Sequence, residues 1–294
     1  MKTLFVSILF APILFAPCLV GCMESIEHVG LDGAATSDAT IFDALAEGTS
    51  GDALAAGDAS GATLAIYIKG DGESRTFDDG SVGQTPKSYT MGLGRFDIMM
   101  AADDPSPVTV FDHGASPVDV DMLGETLGGR GRLADLPPGS YTHGRVLLTK
   151  ATVKIAALVH AAGVAVPGDL DIVVALSDTT LSGQAWTKGQ ATFSFAGVTV
   201  PGAIPPLPTT GGGSIIEAPG ETWLVFAFPE PIVVSSDATT DHRATIVYGI
   251  FESFRWKDLE EVGYQARVFD VDPIAFKWEP VSNFGATGYS ITLD

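Results

Sequence analysis

From Thr63 to the C-terminus, apolar and polar residues alternate along the chain with a period of two. Leu64, Ile66 and Ile68 share one parity, with Ala65 and Tyr67 between them. This alternation is typical of β-strands with one buried face. The same pattern recurs at 118–122, 244–250, 274–278 and 289–293, whereas TWLVFAF at 222–228 is apolar on both parities, like a strand covered on both sides.

Glycines and prolines separate these short segments, and no fixed-period repeat is present. Helical patterns are few: 158–163 is short, and WKDLEEV at 256–262 is long enough for a turn or two. Short strands with frequent turn signals favour an all-β fold, an antiparallel β-sandwich. We therefore predict one β-sandwich domain over 63–294. The glycine- and proline-rich stretch at 197–220 is either a long surface loop or a subdomain boundary.

The segment LADLPPGSYTHGRVLL, residues 133–148, predicts a turn followed by a strand. Pro138 and Gly139 suit the second and third positions of a type II turn, in which glycine accepts a positive φ. Leu136 and Tyr141, on either side of the turn, are predicted to pack inward. Beyond the turn, the parity of the apolar residues slips near Thr149, which predicts a β-bulge.

The residues LPPGSY at 136–141 resemble the L-P-x-G-x-Y turn of transthyretin-like and collagen-adhesin B-type bacterial surface domains. Residues 91–155 also resemble an uncharacterised family of bacterial lipoprotein β-sandwich domains, in which an acidic strand such as PVDVDML leads into a PxGxYT turn. The resemblance implies a fold. It carries over no catalytic or ligand-binding residue.

The N-terminus reads as a secretion signal. Lys2 precedes an uncharged apolar stretch that is too short and too proline-interrupted for a membrane-spanning helix. The sequence Leu19-Val20-Gly21-Cys22 resembles the bacterial lipobox, which implies a signal peptide at 1–21 and a palmitate-bearing, lipidated Cys22. Met23 after the cysteine implies sorting to the outer membrane.

Residues 22–62 predict a disordered acidic tether. They contain eight acidic residues, no lysine or arginine, and mostly small side chains, which cannot bury enough apolar surface to fold. As a coil, the tether would span roughly 30–40 Å. A tether of this length would hold the folded domain away from the lipid headgroups.

The net charge of the chain is −20, from 16 basic and 36 acidic residues. Such a charge disfavours nucleic acid as a partner and disfavours attraction to anionic lipids. The N-terminal lipid would therefore be the link to the membrane. Of the two cysteines, Cys18 would leave with the signal peptide and Cys22 would be acylated, so that the mature chain would hold neither a free thiol nor a disulfide.

The loop GDGESRTFDDGS at 70–81 is the candidate metal site. Asp71, Glu73, Asp78 and Asp79 offer oxygen ligands on a glycine-rich loop, which suits Ca²⁺. The spacing is not that of an EF-hand. The alternative is a plain acidic hairpin loop without metal.

No catalytic motif is recognisable in the sequence. Three pairs of aspartates lie two residues apart, at 119/121, 169/171 and 270/272. They could serve a glycosidase or could form a solvated outer face of the sheet. Among the tryptophans, Trp223 and Trp278 are expected in the core, whereas Trp186 and Trp256 are candidates for an exposed sugar-binding face.

Three functions therefore remain open. The leading hypothesis is a non-enzymatic, lipid-anchored protein of the bacterial cell envelope, with a structural, adhesion or accessory-binding role and no cofactor. The second is a carbohydrate- or calcium-binding surface module. The third is a secreted hydrolase that uses a carboxylate pair.

Overall fold

The computed structural model describes residues 61–161, 163–203, 213–272, 275 and 277–294. The predicted signal peptide at 1–21, Cys22 and the tether as far as residue 60 lie outside the described residues. The same holds for residues 204–212 of the glycine- and proline-rich stretch, and for Ile274 and Phe276 of one predicted strand. On either side of 204–212 the stretch forms strands, at Val198–Ala203 and Gly213–Ala218, where a loop or a boundary was expected. The described residues belong to one compact unit.

The prediction of an all-β fold is confirmed. In the described residues the regular elements are strands and one short 3₁₀ turn, Leu133–Asp135. In chain order the strands are β1 Thr63–Asp71, β2 Val82–Gln84, β3 Ser88–Met99, β4 Val108–Asp112, β5 Val118–Asp121, β6 Glu125–Arg132, β7 Gly139–Ala161, β8 Val164–Ala175, β9 Thr179–Leu181, β10 Gln184–Trp186, β11 Gln190–Phe195, β12 Val198–Ala203, β13 Gly213–Ala218, β14 Glu221–Val234, β15 His242–Gly249, β16 Phe254–Trp256, β17 Phe269–Asp272, β18 Lys277–Trp278, β19 Val281–Phe284 and β20 Tyr289–Leu293.

The long strand β7 organises the larger sheet. One edge pairs with β14 in its first half and with β8 in its second half, and the other edge pairs with β3 and then β17. The β7–β17 pairing is parallel, whereas the other three are antiparallel. Beyond β8 the sheet continues through β11 to β12, and beyond β14 it continues to β13.

A second sheet packs against the first to form the sandwich. Its strand order is β20-β15-β1-β6, in which β1 and β15 run parallel. A third sheet, β19-β16-β2, lies alongside. Leu64, Ile66 and Ile68 from the smaller sheet share one hydrophobic cluster with Leu148 and Phe226 from the larger sheet, so the alternation in the sequence reports a common core.

The predicted β-bulge near Thr149 is confirmed. Gly92 on β3 pairs with Lys150, yet the next residue, Leu93, pairs with Leu148, so that Thr149 is the extra residue on β7. A Cβ atom at Gly92 would lie 2.4 Å from the Thr149 hydroxyl. The bulge therefore requires glycine at position 92, and it restores the inward parity of the apolar residues after position 150.

The stretch at 136–141 is a folding device, but its turn type was predicted wrongly. Leu136 and Tyr141 are buried as expected, and the Tyr141 hydroxyl donates to the Pro137 carbonyl at 2.8 Å. This link to a carbonyl four residues upstream resembles the tyrosine corner of immunoglobulin-type sandwiches. Gly139, however, is not among the residues with positive φ; it begins β7, and a Cβ there would lie 2.9 Å from the Met100 Cε. Because Met100 is exposed and its side chain can move away, nothing in the structure makes glycine necessary at this position.

The segment 256–262 forms no helix. Trp256 ends β16, and the chain then runs as an irregular loop to β17. The expectation that Trp256 is exposed is also wrong, because Trp256 is buried against Phe254 and Phe269. No helix in the described residues is long and apolar enough to cross a membrane.

Candidate functional site

The acidic loop at 70–81 is held by arginine side chains. The Asp71 carboxylate accepts the Glu73 backbone N–H at 2.9 Å and an Arg75 N–H at 2.8 Å. These hydrogen bonds, with the nearby positive charge, lower the pKa of Asp71. Asp79 accepts two N–H groups of Arg255, at 2.8 and 3.0 Å. Those bonds lower the pKa of Asp79 to about 2.

Arg255 anchors this loop to the body of the domain. Its side chain is only 3% exposed, and it also donates to Glu252 and to the Ser81 carbonyl. The guanidinium carbon lies 3.9 Å from the centre of the Phe77 ring, within the range of a cation–π contact. A buried cation from β16 is therefore the partner of the loop.

The four predicted calcium ligands are not brought together as a metal site. In the part of the chain that the structure describes, no three His, Cys, Asp or Glu residues are grouped so that they could hold a metal ion. Asp71 and Asp79 are bound to separate arginines, and Glu73 and Asp78 are exposed. The loop is not a hairpin either, because β1 and β2 belong to different sheets. It is an acidic connection between them that is fixed by arginine, whose guanidinium groups supply the positive charge that Ca²⁺ would otherwise supply.

Two of the three aspartate pairs lie on the solvated surface. Asp119 pairs with Lys150 at 2.9 Å, and Asp171 pairs with Lys154 at 3.4 Å. Asp169 likewise pairs with Lys87. Cross-strand ion pairs of this type are ordinary surface contacts, which favours the non-catalytic interpretation of these carboxylates.

The third pair departs from this picture, because Asp270 is fully buried. Its Oδ1 lies 2.6 Å from the His160 Nε2, and its Oδ2 accepts the Gln265 backbone N–H at 2.8 Å. The Tyr264 ring stacks on the His160 ring with a centroid distance of 5.1 Å. The contact joins β7 to β17 and to the loop that precedes β17, 257–268.

Glu279 completes this buried cluster. Its two carboxylate oxygens accept the backbone N–H groups of Leu259 and Asp270, each at 2.8 Å. Burial raises the pKa of Glu279 to about 7, aided by the negative charges of Asp258 and Asp270 and opposed by the two hydrogen bonds. We call His160, Tyr264, Asp270 and Glu279 the acid–histidine cluster.

The acid–histidine cluster contains an aspartate–histidine pair, Asp270 and His160, of the kind that hydrolases also use. A buried aspartate that orients a histidine is the arrangement that prepares a general base. Within the described ranges, no serine or threonine hydroxyl is hydrogen bonded to His160. Most of the remaining bonds of Asp270 and Glu279 go to backbone N–H groups, so the arrangement serves to fasten loop 257–268 onto the sheet.

The sequence did not reveal this cluster. Period-two alternation places Glu279 on the outer parity, opposite Trp278, and the 270/272 pair gave no sign that only Asp270 would be buried. The available signal was local: Asp270 is flanked by Phe269 and Val271, both also buried. A carboxylate within an apolar run is expected to find buried hydrogen-bond donors.

Of the two tryptophans that were candidates for an exposed sugar-binding face, Trp256 is buried and Trp186 is half-buried. Trp223 is 6% exposed, as expected for a core position. The Arg145 guanidinium lies 4.2 Å from the centre of the Trp223 ring, and Asp97, itself buried, pairs with both Arg145 and Arg95. The Arg145 guanidinium thus lies over the Trp223 ring, which belongs to the core and was not a sugar-binding candidate.

Comparison with known proteins adds no assignment. No family model matches the chain, and no match was found among curated proteins or solved structures.

Proposed function

We propose that this chain is a lipid-anchored protein of the bacterial cell envelope, whose β-sandwich has a non-enzymatic structural, adhesion or accessory-binding role. The sequence Leu19-Val20-Gly21-Cys22 at the end of an apolar leader is the observation that carries the proposal. Cys22 would be acylated after cleavage, and the outer membrane is the proposed destination.

The first described strand begins far along the chain from the proposed site of lipidation. The first described strand begins at Thr63, where its N–H and hydroxyl both donate to Asp241. Forty residues separate Cys22 from Thr63. In this proposal they are the link between the lipid and the sandwich.

The contacts of the acidic side chains support a non-enzymatic role. Asp119 and Asp171 pair with lysines across strands, and Asp71 and Asp79 of the loop at 70–81 are bound to arginines. The buried acids of the acid–histidine cluster receive backbone N–H groups and fasten a loop. In each case the carboxylate already has a structural partner.

Metabolic labelling tests the anchor directly. Cells that express the full chain are grown with an alkyne-bearing palmitate analogue, and the wild type is compared with Cys22→Ala and with Cys18→Ala as the matched control. We expect label in the wild type and in Cys18→Ala, loss of label in Cys22→Ala, and recovery of the labelled protein with the outer membrane. Label that persists in Cys22→Ala, or an unmodified Cys22 thiol in the purified mature chain, would refute the proposal.

A further inference from the structure

A small slot penetrates the sandwich between its two main sheets. Met91 on β3, Leu148 on β7 and Leu224 on β14 line it from the larger sheet, and Tyr248 on β15 lines it from the smaller sheet. Its volume is about 30 Å³, or about 330 Å³ when the space open to solvent is included. The enclosed part is about a tenth of the volume of pockets that hold drug-sized molecules, roughly 300–1,000 Å³, and has room for about two water molecules. A ligand would therefore have few heavy atoms and would extend into the part of the slot that is open to solvent.

The slot reaches solvent along the open side of the sandwich. Three of its lining residues are only half-buried: Ile215 on β13, Ala286 just before β20, and Tyr289 on β20. β13 and β20 are the edge strands of their respective sheets on this side. A small molecule could thus enter between the two edges without separating the sheets.

Two tyrosines on the slot carry buried hydroxyls without a hydrogen-bond partner. Tyr89 is 1% exposed and Tyr248 is 2% exposed, and among the described residues neither hydroxyl has a donor or acceptor within bonding distance. Burial raises the pKa of both phenols, and the closeness of Tyr89 raises the pKa of Tyr248 further. Both are therefore neutral O–H donors at neutral pH, and they lie near one another. A buried polar group without a partner is costly, and most such groups in native proteins have one.

We propose that this inter-sheet slot binds a small uncharged molecule that has an apolar body and one acceptor oxygen, such as a ketone or an alcohol, and that the Tyr89 and Tyr248 hydroxyls bind the oxygen. The aliphatic side chains of Met91, Leu148 and Leu224 would contact the apolar body. A charged ligand is disfavoured because none of the described residues that line the slot is charged, so nothing among them would offset its desolvation. The proposal does not depend on acylation of Cys22, so the two proposals can fail independently.

Cyclopentanone and cyclopentane form a matched pair of probes, since they share a ring and differ in the acceptor oxygen. Both are titrated into the full chain labelled with ¹³C at the methionine methyl groups, and Met91 reports from the wall of the slot. We expect a saturable shift of the Met91 resonance with cyclopentanone. Cyclopentane should bind at least about fivefold more weakly, the factor expected for loss of one hydrogen bond.

Tyr89→Phe and Tyr248→Phe test the two hydroxyls while preserving the aromatic walls. Each should weaken cyclopentanone binding by at least about fivefold. Tyr67→Phe is the control, since Tyr67 lies outside the slot beneath Arg243, and it should leave binding unchanged. Without probe, both slot variants should unfold at the same or a higher urea concentration than the wild type, because each removes an unpartnered hydroxyl.

Three results would overturn the proposal. The first is a Met91 shift that is absent or does not saturate. The second is equal binding of cyclopentanone by the wild type and by both phenylalanine variants. The third is a clear loss of stability in both slot variants relative to Tyr67→Phe, which would mean that the two hydroxyls are already satisfied within the protein.

Discussion

Replacement of Glu279 by glutamine should remove a specific dependence of stability on pH. The carboxyl group of Glu279 is buried, and its pKa rises from an ordinary value of 4.5 to about 7 on folding. The folded chain therefore binds a proton at this site more tightly than the unfolded chain does. Its contribution to the free energy of unfolding is fully present below about pH 4.5 and is lost as the pH rises through 7.

The size of the effect follows from the difference in pKa. A difference of about 2.5 units corresponds to roughly 3 kcal/mol over the whole range, at about 1.4 kcal/mol per unit. The isoelectric point near 4.4 makes the acidic limit unsuitable for measurement, because proteins of low net charge associate. Between pH 5.5 and 8, the contribution of Glu279 to the free energy of unfolding should fall by about 2 kcal/mol.

Urea denaturation at several pH values is the appropriate assay. The quantity of interest is the free energy of unfolding of the wild type minus that of Glu279→Gln, because the contributions of other groups largely cancel in the difference. It should fall by about 2 kcal/mol between pH 5.5 and 8, whatever constant offset the amide introduces. Glu260→Gln, at an exposed position of the same loop, should give a flat difference. A flat difference for Glu279→Gln would refute the inference that burial raises this pKa.

Three further substitutions test the fold by urea denaturation. Tyr141→Phe removes the hydroxyl bond to the Pro137 carbonyl and should cost about 1–2 kcal/mol; no loss would contradict a role as a corner. Arg255→Met removes the buried partner of the acidic loop and should lower the free energy of unfolding by about 2 kcal/mol or more. Arg75→Met, at a surface pair, should lower it by less than about 1 kcal/mol. Equal losses for the two variants would contradict the inference that Arg255 holds the loop in place. Gly92→Ala places a methyl group against the bulge and should cost about 1–3 kcal/mol; a neutral result would mean that the bulge relaxes.

The predictions that succeeded rest on local periodicity. The alternation of Leu64, Ile66 and Ile68 identified a strand face that is fully buried. The slip at Thr149 located a bulge, because one extra residue reverses the parity of every later side chain. Such signals are contained in a few consecutive residues and need no knowledge of the partner strand.

The predictions that failed concern what lies opposite a residue. Gly139 was assigned a positive-φ turn conformation, yet it begins β7 and pairs there with Val234 of β14. Asp79 was offered to calcium, yet it lies against Arg255, which is 176 residues away in the chain. Neither neighbour could be identified from the residues around the position itself.

The sequence alone determined the class of the fold, the position of the bulge and the inward packing of Tyr141, because period-two burial and parity are properties of a single strand. Only the tertiary structure decided the partners of the acidic groups, the burial of Asp270 and Glu279, and the meeting of Tyr89 with Tyr248 across two sheets. The physical reason is that the pKa and the hydrogen bonding of a side chain depend on groups within a few ångströms in space. In a sandwich, those groups come from strands that are far apart along the chain.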